Sequence, residues 1–120
     1  MVYVQTKLNV ADNSGALSVK CIKVLNNKSI GRIGNLVLVS VRKVNPKKKI
    51  LKKSLQKAVI VRVKAKVHRD GGYICVGDNA VVLLNNQFLP RGTRIFGPIL
   101  RELYNYKQYS KILSLATFII

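Results

Sequence analysis

The sequence is short of the groups from which active sites and metal centres are built. Only four of its 120 residues are acidic, it has one histidine, His68, and it has no tryptophan. General acid–base catalysis needs a titratable group held against a partner. Three of the acids (Asp12, Asp70 and Asp78) lie in turn contexts, where a carboxylate ordinarily accepts hydrogen bonds from nearby backbone amides. The fourth is Glu102. No carboxylate pair, no serine or cysteine beside an evident base and no Walker-type phosphate loop is present. His68 stands beside Arg69 at a strand end, a place for a solvent or polyanion contact. The two cysteines, Cys21 and Cys75, are far apart and each stands next to an apolar residue, so they read as two buried thiols rather than a disulfide. With His68 they offer three metal ligands at most and no Cys-x-x-Cys spacing, which argues against zinc. The expectation is a protein with no catalytic residue, no metal and no cofactor.

Long apolar runs are also missing. No stretch approaches the roughly 18 to 20 residues that a spanning helix requires. Residues 1–9 alternate apolar and polar side chains, unlike the apolar core of a secretory signal or the Arg- and Ser-rich pattern of an import presequence. Neither a membrane protein nor an addressed precursor is expected.

Short alternating and apolar segments are abundant instead. Val59, Val61, Val63, Ala65 and Val67 fall on one side of an extended chain, with Ile60, Arg62, Lys64, Lys66 and His68 on the other. This predicts one long half-buried strand with a basic outer face. Leu17–Val24 reads as a strand whose alternation shifts near Cys21–Ile22, the mark of a bulge or of burial on both faces. Leu36–Val44 and Ala80–Leu84 are apolar runs and predict strands deep in a closed or sandwiched sheet. Turn-forming clusters separate them at Asp12–Gly15, Asn26-Asn27, Gly31–Gly34, Asn45-Pro46, Asp70–Gly72, Gly77–Asn79 and Asn85-Asn86. Several short strands without a long helix between them predict an antiparallel β-barrel, a closure that removes exposed edges. After Pro98 the period changes: Tyr106, Tyr109, Leu113 and Ala116 recur at helical spacing. The expected organisation is a single domain, a barrel over about residues 1–98 with a helical cap over 99–120, its Phe118-Ile119-Ile120 end packed against something.

The most abundant feature of all is positive charge. Twenty-two Lys and Arg against four acids give a net +18, while 48% hydrophobic residues exclude a disordered basic tail. A compact domain so charged repels itself and calls for a polyanion, nucleic acid before an anionic membrane. Twelve of the basic residues lie between Val41 and Asp70. Lys47, Lys48, Lys49, Lys52 and Lys53 form a loop-like run that leads into the strand whose outer face carries Arg62, Lys64 and Lys66, a loop and strand face of one sign suited to a phosphate backbone, with Arg69 at the strand end as a further candidate. A second cluster, Arg91, Arg94 and Arg101, runs through a Gly- and Pro-containing segment, where arginine can grip phosphate and glycine lets the backbone approach it. No aromatic residue lies between Val41 and Asp70, so this face suits folded RNA recognised by backbone and shape rather than splayed bases stacked on aromatic platforms.

Five segments taken together resemble one family. Leu8-Asn9-Val10-Ala11-Asp12-Asn13-Ser14-Gly15-Ala16 resembles the opening motif of the universal large-subunit ribosomal protein L-fourteen family. Gly92–Leu103 (GTRIFGPILREL) resembles its second hallmark, and Cys21–Leu25, Lys57–Arg62 and Asn79–Asn86 fill the middle in the expected order. The resemblance covers nearly the whole chain. It implies a five-stranded barrel with a short helical C-terminal region that binds large-subunit rRNA near the face meeting the small subunit. There it implies contact with small-subunit rRNA at an intersubunit bridge, an L-nineteen-like neighbouring protein, and docking of the ribosome-silencing factor. The chain departs from the family at Val76, where an aromatic residue is usual, in its lysine-rich loop over Pro46–Lys53, and at Tyr104, Tyr106 and Tyr109. With its richness in Lys, Asn and Ile, these departures point to an organelle-encoded member of a mitochondrial ribosome, with plastid and bacterial cytoplasm as alternatives. Two readings from other classes compete. A free OB-like translation factor or RNA chaperone requires exposed aromatics on the basic face, and an anionic-lipid module requires a basic amphipathic helix.

Overall fold

A computed structural model describes residues 2–25, 29–48, 50 and 52–120. The turn expected at Asn26-Asn27 and the loop residue Lys49 lie outside the described residues. Strands β1 (Lys7–Val10), β2 (Ala16–Val24), β3 (Leu36–Val44), β4 (Leu55–Arg62) and β7 (Ala80–Leu84) close into a barrel in the order β1-β2-β3-β4-β7. The connection from β4 to β7 carries a hairpin of β5 (Val67–Arg69) and β6 (Gly72–Ile74). Then come β8 (Ile95–Ile99), 3-10 turns at Arg101–Asn105 and Lys107–Tyr109, helix α1 (Ser110–Leu115) and β9 (Ala116–Ile119). The barrel is antiparallel, as its sequence predicts, except at the closing seam. There β1 runs parallel to β7, pairing Asn9 with Ala80 and Val10 with Val81.

Side-chain alternation sets each strand's register. In β2 the buried residues are Ala16, Val19, Cys21 and Val24; both steps that break period two carry register shifts, and the second, between Cys21 and Lys23, is the bulge expected there. β7 is buried at all five positions, as its uninterrupted apolar run predicts. β3 differs from its prediction: Val37, Val39 and Val41 are buried, but Leu36, Leu38 and Ser40 only half so, whereas β4, against which β8 packs, is buried throughout Ala58–Arg62. The C-terminal cover is Ile99, Leu100, Leu103, Tyr109 and Ile112, all part of one continuous core with the barrel interior.

The long strand predicted through Val67 is two elements. β4 ends at Arg62, since the Lys64 amide donates to the Asn79 side chain at 2.8 Å instead of to a ladder carbonyl. The alternation continues past the break because the hairpin also has a packed face, Val67 and Ile74, and an outer face. This correction also exposes Cys75, which was expected to be buried: Ile74 and Val76 pack inward, so the residue between them points out. Helical turns follow Pro98 as predicted, but the last residues form β9, which runs parallel to β8. Backbone pairing holds that end while Phe118 stays 67% exposed, so its side chain is not packed as expected.

Two of the contacts that join the barrel to its C-terminal cover are set by Gly34 and Asp12. Gly34 has φ +85°, and a β-carbon there would collide with the Tyr106 ring, so glycine is required both for the turn and for the close approach of the C-terminal segment. Asp12 is 5% exposed and accepts hydrogen bonds from the Leu83 amide of β7 at 3.1 Å and from the Ser14 amide and hydroxyl, next to a backbone bridge to Ile95 of β8. Burial raises its pKa from the usual 3.8, although the hydrogen bonds from Ser14 and Leu83 pull the other way.

Replacing Asp12 by Ala leaves the buried Leu83 N–H without its acceptor, and urea denaturation is expected to show a loss of about 1–3 kcal/mol. Folding favours the protonated form of this carboxyl, so its contribution is greatest below pH 3.8 and declines as pH rises towards the folded value. The stability difference between wild type and Asp12→Asn should therefore vary with pH in that window and level off above it; a difference flat across the window would contradict the assignment.

Candidate nucleic-acid interface

The basic residues singled out in the sequence divide into exposed cations and internal ties. Lys47, Lys48, Lys52 and Lys53 are exposed in the β3–β4 connection. Asn45 shapes that loop: its side chain accepts the Lys47 amide at 3.1 Å and its carbonyl the Lys48 amide at 3.0 Å. Lys64 and Lys66 are exposed where β4 gives way to the hairpin, and Arg91, Arg94 and Arg101 are exposed near β8. Asn13 sets the backbone around Arg94, accepting the amides of Thr93 at 2.7 Å and Arg94 at 3.1 Å. The two hallmark segments, far apart in sequence, thus meet in space.

Arg62 and Arg69 are placed differently from the rest. Arg62 is 9% exposed. Its Nε and Nη2 donate to Asp78 at 3.0 and 3.2 Å, and Nη1 donates to the carbonyls of Phe96 and Pro98 at 3.0 and 3.3 Å. Lying at the end of β4 under β8, it joins barrel to appendage, and a β-carbon at Gly97 would strike its guanidinium. Arg69 grips both oxygens of Glu102 and donates to the Ile120 carbonyl at 2.6 Å, fixing the hairpin to the C-terminal segment. Arg62, expected on the outer face of one long strand, is instead covered by β8, and Arg69 beyond it is tied down likewise; their guanidinium donors are engaged internally.

The pairing of strands creates a basic cleft in its place. Lys7 and Asn9 of β1, Ser18 of β2, Arg42 and Lys43 of β3, and Lys64 with Asp78 and Asn79 line a concavity of about 640 Å³. Registers Asn9–Ser18 and Ser18–Lys43 bring the three strands together there. Asp78 does not neutralise the cleft, since Arg62 engages both its oxygens and the Asn9 side-chain amide donates to one at 3.0 Å. Four cations and several neutral donors are left around a concave surface, a geometry that focuses positive potential on a bound anion. Lys7, Arg42 and Lys43 were missed in the sequence because only cross-strand pairing unites them; the available signal was their polar position beside apolar strand residues. Lys43 also leads directly into the lysine loop, so cleft and loop adjoin. Among the described residues no group of three His, Cys, Asp or Glu could hold a metal, and no helix is long and apolar enough to cross a membrane.

Comparison with protein families matches residues 1–120 to the model described as ribosomal protein L14p/L23e.

The two kinds of arginine and lysine separate experimentally. Arg62→Met is expected to lower stability by about 2 kcal/mol by leaving Asp78 without its partner, with the salt dependence of RNA binding unchanged. Replacing Lys7, Arg42 and Lys43 by Ala should leave urea midpoints near wild type and flatten the log–log salt slope by roughly 2 to 3, at 0.7–0.9 per lost phosphate contact. Salt titrations of binding to large-subunit rRNA and denaturation curves measure both; an unaltered slope in the triple variant would remove the cleft from the interface.

Proposed function

The chain belongs to the ribosomal protein L14p/L23e family and has a structural role in the large ribosomal subunit, and from that premise we propose that it binds folded large-subunit rRNA through its adjoining basic cleft and lysine loop. The observation that carries this reading is the one-signed surface: the cleft holds Lys7, Arg42, Lys43 and Lys64 around an Asp78 already engaged by Arg62. Lys47, Lys48, Lys52 and Lys53 extend that surface, with Lys66 towards the hairpin and Arg91, Arg94 and Arg101 near β8; in sequence Lys49 belongs to the same lysine run. Cationic side chains at this density act on the phosphate backbone and release its counterions, independently of base sequence. The chain works as one domain, its closed barrel ending with β7 at Leu84 rather than near residue 98, so that β8 belongs with the C-terminal cap over 99–120.

Family resemblance extends the reading to the face that meets the small subunit. There the chain contacts small-subunit rRNA, an L-nineteen-like protein and the ribosome-silencing factor. Its composition supports a mitochondrial ribosome over a plastid or bacterial one.

Sucrose-gradient sedimentation of an extract in high salt is the direct test. The protein should travel with intact large subunits, whereas a light soluble fraction would favour a free RNA-binding factor. Changing Lys47, Lys48, Lys49, Lys52 and Lys53 together to Ala is expected to weaken incorporation and flatten the salt slope by roughly 3.5 to 4.5; unchanged values would shift the RNA face to Arg91, Arg94 and Arg101.

A further inference from the structure

In sequence order no aromatic residue accompanies the basic stretch from Val41 to Asp70, yet the hairpin folds one back onto it. The β5–β6 register sets Tyr73 directly opposite His68. Directly paired residues of antiparallel strands project to the same face, and so does Lys66, two residues before His68. The Lys66 ammonium lies over the Tyr73 ring at 4.4 Å from its centroid, and Tyr73 is 58% exposed. Val67 and Ile74, on the other face, pack against the core. Arg69 anchors the hairpin to Glu102 and to the Ile120 carbonyl, so this outer face is held in place before any partner arrives. Of the two neighbouring acids, Glu102 has both oxygens engaged by Arg69, and Asp70 stands in the hairpin turn beyond the paired strands.

We propose that the outer face of this hairpin takes an unpaired base of folded RNA, stacked on Tyr73, with Lys66 and His68 against the adjoining phosphates. The inference rests on the rRNA-binding reading and adds a contact of a different kind. A nucleobase offers the π-face that an exposed ring accepts whatever the base, and a phosphate suits the two basic neighbours. A protein partner would have to bring an acidic side chain to match Lys66, whereas RNA supplies both the planar ring and the negative charge in each nucleotide, so charge complementarity favours RNA.

Chemical probing of rRNA bases in purified large subunits carrying wild-type, Tyr73→Ala or Tyr73→Phe protein tests this. Tyr73→Ala is expected to raise the reactivity of one unpaired base roughly fivefold or more, and Tyr73→Phe, which keeps the ring and loses the hydroxyl, to preserve wild-type protection. Ultraviolet irradiation of wild-type particles should cross-link Tyr73 to a nucleotide, a readout that needs no variant. If no base changes reactivity in Tyr73→Ala particles and no such adduct forms, or if Tyr73 cross-links only to protein, the stacking contact is refuted while rRNA binding through the cleft stands. Absence of the wild-type protein from large subunits would instead refute the binding reading itself.

Discussion

Mutual repulsion among 22 cationic side chains is the constraint around which this fold is arranged. Only four carboxylates oppose it, and three of them stand at joints. Asp12 ties the turn after β1 to β7 beside β8, Asp78 holds Arg62 where β4 ends under β8, and Glu102 holds Arg69 between hairpin and C-terminal segment. Two arginines are thereby withdrawn from the surface to become internal fasteners. A buried or half-buried guanidinium with both carboxylate and carbonyl acceptors satisfies its donors locally, so these pairs fix geometry more than they reduce the overall charge.

The remaining cations are displayed on a scaffold that does not need them. Core residues are almost entirely Val, Ile, Leu and Ala from the barrel and its C-terminal cover, and the interface cations lie at strand ends, in the β3–β4 loop and along the hairpin. This separation lets the proposed RNA face be strongly one-signed while apolar burial supplies cohesion. The Asn45 and Asn13 side chains play a related part, ordering backbone next to Lys47 and Arg94 without adding charge.

Local pattern carried much of this into the sequence. The barrel, the bulge near Cys21, the all-buried β7 and the helical turns after Pro98 follow from periodicity and turn chemistry, which act over a few residues. The basic loop and the exposed Arg94 and Arg101 were legible for the same reason. What could not be read there depends on pairing between distant segments. Alternation through residues 59–68 looks like one strand because two successive elements each keep an inner and an outer side. Arg62 is indistinguishable from an outward lysine until Asp78 and the carbonyls of Phe96 and Pro98 are brought to it. Lys7, Arg42 and Lys43 become a cleft only through barrel closure, and β9 exists only because β8 offers it an edge across the intervening helical turns.

The parallel seam between β1 and β7 has a consequence for how the chain is made. The first strand finds one neighbour in β2 at once, but its other edge waits until residues 80 and 81 have been synthesised. Until then a nascent chain presents an open, valine-rich sheet, and long-range pairing of this kind is slow as well as prone to mispairing. β8 and β9 cannot join until residue 116 emerges to meet Ile95. Ribosomal exit-tunnel timing, or an early companion for the unfinished edge, therefore bears on the yield of this small protein as directly as its final stability does.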